Sequence, residues 1–209
     1  MKALLDLHYL PSLEYFTAMM KYDEIIIEKH EQYVKQSFRN RCYINTANGI
    51  LKLVVPVTAK HGKALVKDVR IDKSSKWQNV HWRAIESAYG KSAFYEHYAE
   101  DLHQILYDNY DFLYGLNLDL LSFCLQSMQL SVPMTESTTF EKIPTVQICD
   151  LRSMINAKIA HSERNFYVPV PYVQVFGNKF APNLSLIDLL FCEGPNSIQI
   201  IKASVNWGI

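Results

Sequence analysis

The sequence predicts a mixed α/β (α+β) protein. A central, mostly parallel or mixed sheet starts with a βαβ unit, a β-hairpin lies at about 41–57, and a helical lobe lies at about 77–130. Three observations carry this. A short apolar run, a helix-period segment and a second apolar run follow one another within the first thirty residues, which is the pattern of a βαβ unit. Two runs of β-forming residues flank Asn48-Gly49, the strongest short-range hairpin signal. Three helix-period segments then follow with only short breaks between them, as antiparallel packed helices require.

Each element has a local reason. Ala3 to Leu7 is apolar and β-forming, and it stops at His8-Tyr9-Leu10-Pro11 because proline holds the preceding residue extended. Ser12 is a suitable cap for a helix carrying Leu13, Phe16, Met19 and Met20 on one side. Asp23 to Glu28, with Ile25-Ile26-Ile27, is a second buried strand. Arg41 to Thr46 and Ile50 to Val57 make the hairpin, with Pro56 near its end, where a missing donor is harmless. Lys60 to Lys63 is a polar loop, and Ala64 to Ile71 has strand character. Trp77 to Tyr89 carries Val80, Ala84, Ile85 and Ala88 on one side and stops at Gly90. Ser92 introduces a helix to about Tyr107, and Phe112 to Leu130 is a third. Pro133 to Pro144, rich in Thr, Ser and Pro, reads as a flexible segment. Val146 to Asp150 returns to the sheet and precedes a short helix to about Lys158. Val168 to Phe176 is extended, and Leu186 to Cys192 is a short helix stopped by Gly194-Pro195.

Composition bounds the function. The 209 residues form one domain, 1–209, with the helical sub-lobe inside it. Acidic and basic residues balance at 21 each, which gives no general attraction to nucleic acid or anionic membranes. No run approaches the roughly 20 apolar residues that span a bilayer, and Asp6 interrupts the start too early for a signal peptide. The expectation is a cytoplasmic protein with no membrane insertion. The four cysteines, Cys42, Cys124, Cys149 and Cys192, are scattered, with no CxxC or HExxH spacing, so no metal site is expected. GxGxxG, GxxxxGK[ST] and GxSxG are likewise absent.

The candidate chemistry lies mainly in the N-terminal half. His8, in the loop after the first strand, lies at the carboxyl edge of the sheet, beside a helix start that suits an anion, where an imidazole moves protons near neutral pH. Tyr9 accompanies it. Lys35, Arg39, Asn40 and Arg41 put three cations and an amide just before the hairpin. If Arg39 to Arg41 is extended, both arginines face one side and form a fork for phosphate or carboxylate. The alternative is a solvated strand edge guarded by charge. His81 and Trp82 share a helix with Trp77 and Tyr89, where a structural histidine competes with a catalytic one and the aromatics compete with core. Glu14, Asp23, Glu28 and Glu31 are candidate general bases that the residues alone do not separate.

Several segments together resemble a known family. They are Tyr9-Leu10-Pro11-Ser12-Leu13-Glu14-Tyr15-Phe16; Lys35 to Arg41 with Asn48-Gly49 and Leu53-Val54-Val55-Pro56-Val57; His81-Trp82-Arg83-Ala84-Ile85 with Ala88-Tyr89-Gly90; and Phe180-Ala181-Pro182-Asn183-Leu184-Ser185 with Asp188-Leu189-Leu190. In order and spacing they are similar to the WbqC-like protein family. The resemblance implies a bacterial protein of surface-polysaccharide (O-antigen type) biosynthesis, in a family some of whose members are labelled glycine transferases. The opening strand, proline turn and helix also resemble in outline the HxGH region of nucleotidyltransferases, without the motif itself. The expectation is a transferase acting on an activated sugar or aminoacyl-type anionic small molecule. His8 and His81 would be proton carriers, Lys35, Arg39, Asn40 and Arg41 would hold the anion, and Tyr9 and Trp82 would flank a ring. ATP or a nucleotide-sugar is a candidate substrate, and no resident cofactor is signalled. On this view Arg39→Ala abolishes turnover and leaves the fold intact. The alternative is a non-catalytic ligand-binding or scaffolding protein of the same pathway.

Overall fold

A computed structural model describes residues 1–58 and 64–208. Its centre is a four-stranded, all-parallel sheet of β1 (Lys2–Asp6), β2 (Glu24–Glu28), β5 (Met134–Glu136) and β6 (Ile148–Asp150), in the order β5-β2-β1-β6. The register pairs Leu4 with Ile26 on one side and with Asp150 on the other, and pairs Asp6 with Glu28. The chain moves outward from β1 through β2 to β5, then crosses back to place β6 on the far side of β1. The order therefore reverses between β1 and β6, and the carboxyl end of that gap is where open α/β sheets bind ligands.

The expected βαβ unit is β1, α1 (Leu13–Met19) and β2. All of α1 is buried, and Ala3, Leu5, Ile25 and Ile27 turn into the same core. The other face of the sheet, with Leu4, Ile26 and Ile148, borders a cavity of about 240 Å³ closed by Ser137, Thr138, Thr139, Glu141 and Pro144. The hairpin is a separate two-stranded sheet, β3 (Arg41–Thr46) and β4 (Gly49–Val54). Gly49 pairs with Thr46, so the loop residues are Ala47 and Asn48, and Gly49 takes the positive φ of 97°. Val55 still donates to the Asn40 carbonyl at 2.8 Å, and Pro56, with no N–H, ends the ladder.

The helical lobe is α2 (Trp77–Tyr89), α3 (Tyr95–Tyr107) and α4 (Leu113–Ser127). The buried stripe of α2 is Trp77, His81, Ile85 and Ala88, whereas Val80 is exposed. The polar loop expected at 60–63 lies outside the described residues. Residues 64–71 form a 3-10 turn at Val66–Asp68 with isolated bridges instead of a strand. Within 133–144, expected to be flexible, Met134–Glu136 is the edge strand β5, and Ser137 donates to the Ile27 carbonyl. The helix expected after β6 is replaced by turns. Asn156 Oδ1 accepts from the amides of Lys158 and Ile159 at 3.0 and 3.2 Å, which competes with helical bonding. Two short helices, α5 (Leu186–Glu193) and α6 (Ser197–Ser204), complete the chain; the second was not expected. Among the described residues no helix is long and apolar enough to cross a membrane.

Candidate functional site

The four parallel strands end in acids: Asp6 on β1, Glu28 on β2, Glu136 on β5 and Asp150 on β6. Repulsion among them is answered by two arginines and a lysine. Arg39, only 1% exposed, lies in a 3-10 turn at Phe38–Asn40. Its Nη1 meets Asp6 Oδ2 at 3.0 Å, while Nε and Nη2 donate to Glu31 Oε1 at 2.8 and 2.6 Å. Nη2 also reaches Ser153 Oγ at 3.0 Å, just beyond β6. Asn117 of α4 donates to the Arg39 carbonyl at 2.7 Å, so the helical lobe fixes the turn. Arg152 serves two more of the acids, reaching Glu28 at 3.0 Å and Asp150 at 2.7 Å, and Glu136 at the sheet edge pairs with Lys29 at 2.6 Å. Asp6 is the junction. Its Oδ2 also accepts from His8 Nε2 at 3.1 Å, and its Oδ1 accepts from the Ser153 amide at 2.9 Å. The His8 ring lies against Tyr15 and Phe38, and its Nδ1 has no hydrogen-bond partner among the described residues.

Above this network is a cleft of about 280 Å³, lined by Val34, Lys35, Gln36, Ser37, Arg39, Ser153, Asn156, Lys158 and Ile159. Ser153, at the foot of β6, and Arg39, clamped to the end of β1, place the cleft at the β1/β6 reversal. Two of its residues, Gln36 and Ser153, hold left-handed backbone at φ 58°. Such strain in non-glycine residues gathers at functional sites. The rim contains two lysines, and the aliphatic walls lower the local dielectric, which strengthens any charge contact made there.

Electrostatics divide the two carboxylates around Arg39. Burial alone would raise Asp6, but Arg39 and His8 hold it well below the usual carboxylate range. Burial pushes Glu31 up, Asp6 and Glu28 repel it further, and the pull of Arg39 does not compensate; its carboxyl is raised to about 7. One guanidinium cannot neutralise two carboxylates, so the group outside the Asp6–His8 contact retains a proton near neutral pH.

The structure brings only some of the expected residues together. Lys35 and Arg39 line the cleft, and His8 lies beneath it through Asp6. The arginine fork does not form: Arg39 is in a turn and is bonded to Asp6 and Glu31, while Arg41, the first residue of β3, has a buried Nε with no partner among the described residues. Because Arg39 is a buried ion-pair centre, Arg39→Ala cannot leave the fold untouched. Asn40 is committed to the hairpin, its amide donating to the Val55 carbonyl at 2.9 Å. Tyr9 donates to His81 Nδ1 at 2.8 Å, and His81 Nε2 lies 3.2 Å from the Val54 carbonyl, which only accepts. Both nitrogens of His81 are therefore occupied, and burial lowers it to about 4. Burial and these two contacts favour the neutral imidazole. Trp82 packs on Tyr95 and His103 in the helical lobe. The helix start after the first loop offers no anion site either, because Leu13 N–H donates to the Leu184 carbonyl and Glu14 N–H to Asn183 Oδ1. Ser12, the expected cap, makes no capping bond, and Asn183 caps the helix from the far end of the chain.

Asp6, Ser153, Asn156 and Lys158 were not identified from sequence, and Glu31 stood unranked among four acids. One signal was available: Asp6, Glu28 and Asp150 each close an apolar strand, so they mark the carboxyl edge.

Comparison with known proteins agrees with the motif blocks. No solved structure matches the chain. "Uncharacterized protein Rv1507c" of Mycobacterium tuberculosis is 32% identical over 228 residues, covering 96% of each chain. The family model described as WbqC-like protein family matches residues 7–164. That span runs from the loop carrying His8, through the Arg39 turn, to the end of the cleft wall. The chain belongs to the WbqC-like protein family.

Proposed function

We propose that this protein is a transferase that takes an activated, anionic small molecule, of sugar or aminoacyl type, into the cleft at the β1/β6 reversal. In this reading it serves bacterial surface-polysaccharide biosynthesis. One observation carries the site: a cleft with a lysine rim and a buried arginine floor stands at the reversal point of a parallel sheet. Lys35 and Lys158 receive the anionic group, the Ser153 hydroxyl supplies a polar contact, and Asn156 holds the turn that carries Lys158. Arg39 holds the floor rigid, so charge developing on the substrate meets preorganised dipoles. Glu31, its carboxyl raised towards neutrality, is the general base or acid, and His8 holds the Asp6 carboxylate that anchors Arg39. The parallel sheet with a histidine after its first strand agrees in outline with a nucleotidyl-type transfer, with ATP or a nucleotide-sugar as donor.

A second reading, ligand binding without catalysis, rests on a specific feature: Arg39 is fully engaged by protein carboxylates, and His8 Nδ1 is buried. Thermal-shift screening with nucleotides, nucleotide-sugars and phosphorylated metabolites, with and without Mg²⁺, decides between them. A ligand at a hundred times its dissociation constant adds about 2.7 kcal/mol, about 5–10 °C for a chain of this size. The shift should be lost in Lys158→Ala and in Lys35→Ala, each read against its own unliganded melting point. Turnover of that ligand supports the transferase, and binding without turnover supports the second reading. A shift that survives both lysine variants refutes the cleft.

A further inference from the structure

The wall of the cleft has no regular secondary structure. From Leu151 to Asn165 the chain runs through turns and one 3-10 turn, with no strand or α-helix. Its near end is held by Ser153, through the Asp6 and Arg39 contacts. Its far end is held by Arg164. The Arg164 guanidinium makes a double ion pair with Glu14 of α1, Nε to Oε1 and Nη2 to Oε2, each at 2.6 Å. Its remaining nitrogen, Nη1, donates to the carbonyls of Ile159 at 2.8 Å and Asn156 at 3.3 Å. Glu14 is wholly buried, and Asn183 Nδ2 donates to its Oε2 at 3.0 Å while Asn183 Oδ1 caps the same residue's amide. Three distant segments thus meet at one carboxylate: the opening Tyr-Leu-Pro block, the Pro182-Asn183 block and the cleft wall. The planar guanidinium suits this task, because its fork fixes two carboxylate oxygens while the opposite edge stays free for carbonyls.

We propose that Arg164 is a positioning residue for the cleft, a strut anchored on Glu14 and Asn183 that sets where Asn156, Lys158 and Ile159 stand over Arg39. This rests on the reading of the cleft as an anion site, and it adds the device that holds the site's irregular wall in register. Arg164 touches no substrate; it acts through the two carbonyls it binds.

The test uses the full-length protein and two variants, Arg164→Lys and Glu14→Gln, with two readouts. The first is amide hydrogen exchange without ligand. Both variants should speed exchange at Lys158 and Ile159, whose amides rest on Asn156 Oδ1, by about tenfold, the equivalent of one charge-assisted hydrogen bond. Exchange in β1 and β2 should keep the wild-type rate. The second is calorimetric binding of inorganic pyrophosphate, which should weaken by a similar factor in both variants. Wild-type exchange at 158–159 overturns the strut. Faster exchange with wild-type pyrophosphate affinity overturns its role in positioning. Faster exchange spread evenly over the sheet assigns Arg164 to global stability and also overturns the proposal. If wild-type protein binds no pyrophosphate, the anion reading of the cleft fails, and the exchange data still decide the strut.

Discussion

Replacing Glu31 with glutamine isolates the electrostatic tension beneath the cleft. Glutamine keeps an oxygen that accepts from Arg39 Nε and Nη2 and removes only the charge. The Glu31 carboxyl is raised from its ordinary 4.5 to about 7, by burial first and then by Asp6 and Glu28. Below pH 4.5 it is protonated in folded and unfolded chains alike. Between 4.5 and 7 the folded chain keeps a proton that the unfolded chain releases. The stability contributed by this group is therefore complete at pH 4.5 and is lost as pH rises through 7. The shift corresponds to about 3 kcal/mol. Asp6 runs in the opposite sense, its contribution present above its ordinary 3.8 and lost only in stronger acid, so it is constant across this window. Urea denaturation of both proteins at pH 4.5, 6 and 8 measures the effect. Wild type should lose about 3 kcal/mol relative to Glu31→Gln across the series. A constant difference, or one that grows in favour of wild type, would show that Arg39 satisfies Glu31 as an ordinary ion pair and would refute the division of the two carboxylates.

Two further outcomes test the surrounding framework. Arg39→Met leaves Asp6 and Glu31 buried without a cation and should cost about 3–5 kcal/mol. In calorimetry at pH 7 that is a melting point lowered by about 10 °C, and a value within about 2 °C of wild type contradicts the burial and pairing of Arg39. Gly194 ends α5 at φ +54°, and a Cβ there would stand 2.4 Å from the Phe94 ring. Gly194→Ala should therefore destabilise by more than about 2 kcal/mol in urea, and near-wild-type stability would show that the α5–α6 corner can open.

The sheet was legible where a single segment carried its own pattern. The βαβ opening, the hairpin, the helical lobe and the return at 146–150 all follow from local periodicity and turn chemistry. What escaped depended on partners distant in sequence. β5 is three residues inside a Thr-rich stretch, and it is a strand only because β2 offers a free edge. Asn183 caps a helix 169 positions earlier, displacing the local cap Ser12. The Arg39–Asn40–Arg41 cluster was recognised as important, but the geometry assumed for it was wrong. Period-two alternation applies to a strand, and the 3-10 turn sends Arg39 inward to the acids at the strand ends. The surroundings of His81 were not legible for a related reason. Its partners, Tyr9 and the Val54 carbonyl, come from elements that only the fold brings to α2.

One cluster of buried charge lies at the carboxyl end of the sheet, and stability alone does not account for it. Replacing a buried ion network by apolar groups is often neutral or stabilising, by about 1–4 kcal/mol. Yet Asp6, Glu28, Glu31, Arg39 and the guanidinium of Arg152 are all withdrawn from solvent at the carboxyl edge. At the amino edge, the Lys2–Glu24 pair remains partly in water. A network of two carboxylates sharing one guanidinium is strained by construction, since one acid must give up its charge or remain unpaired. The neighbouring backbone adds strain at Gln36 and Ser153, on both sides of the same cleft. Sheet packing requires neither feature. Both are what a site needs if it must present fixed dipoles and a carboxyl group poised near neutral pH to a ligand entering at the β1/β6 reversal.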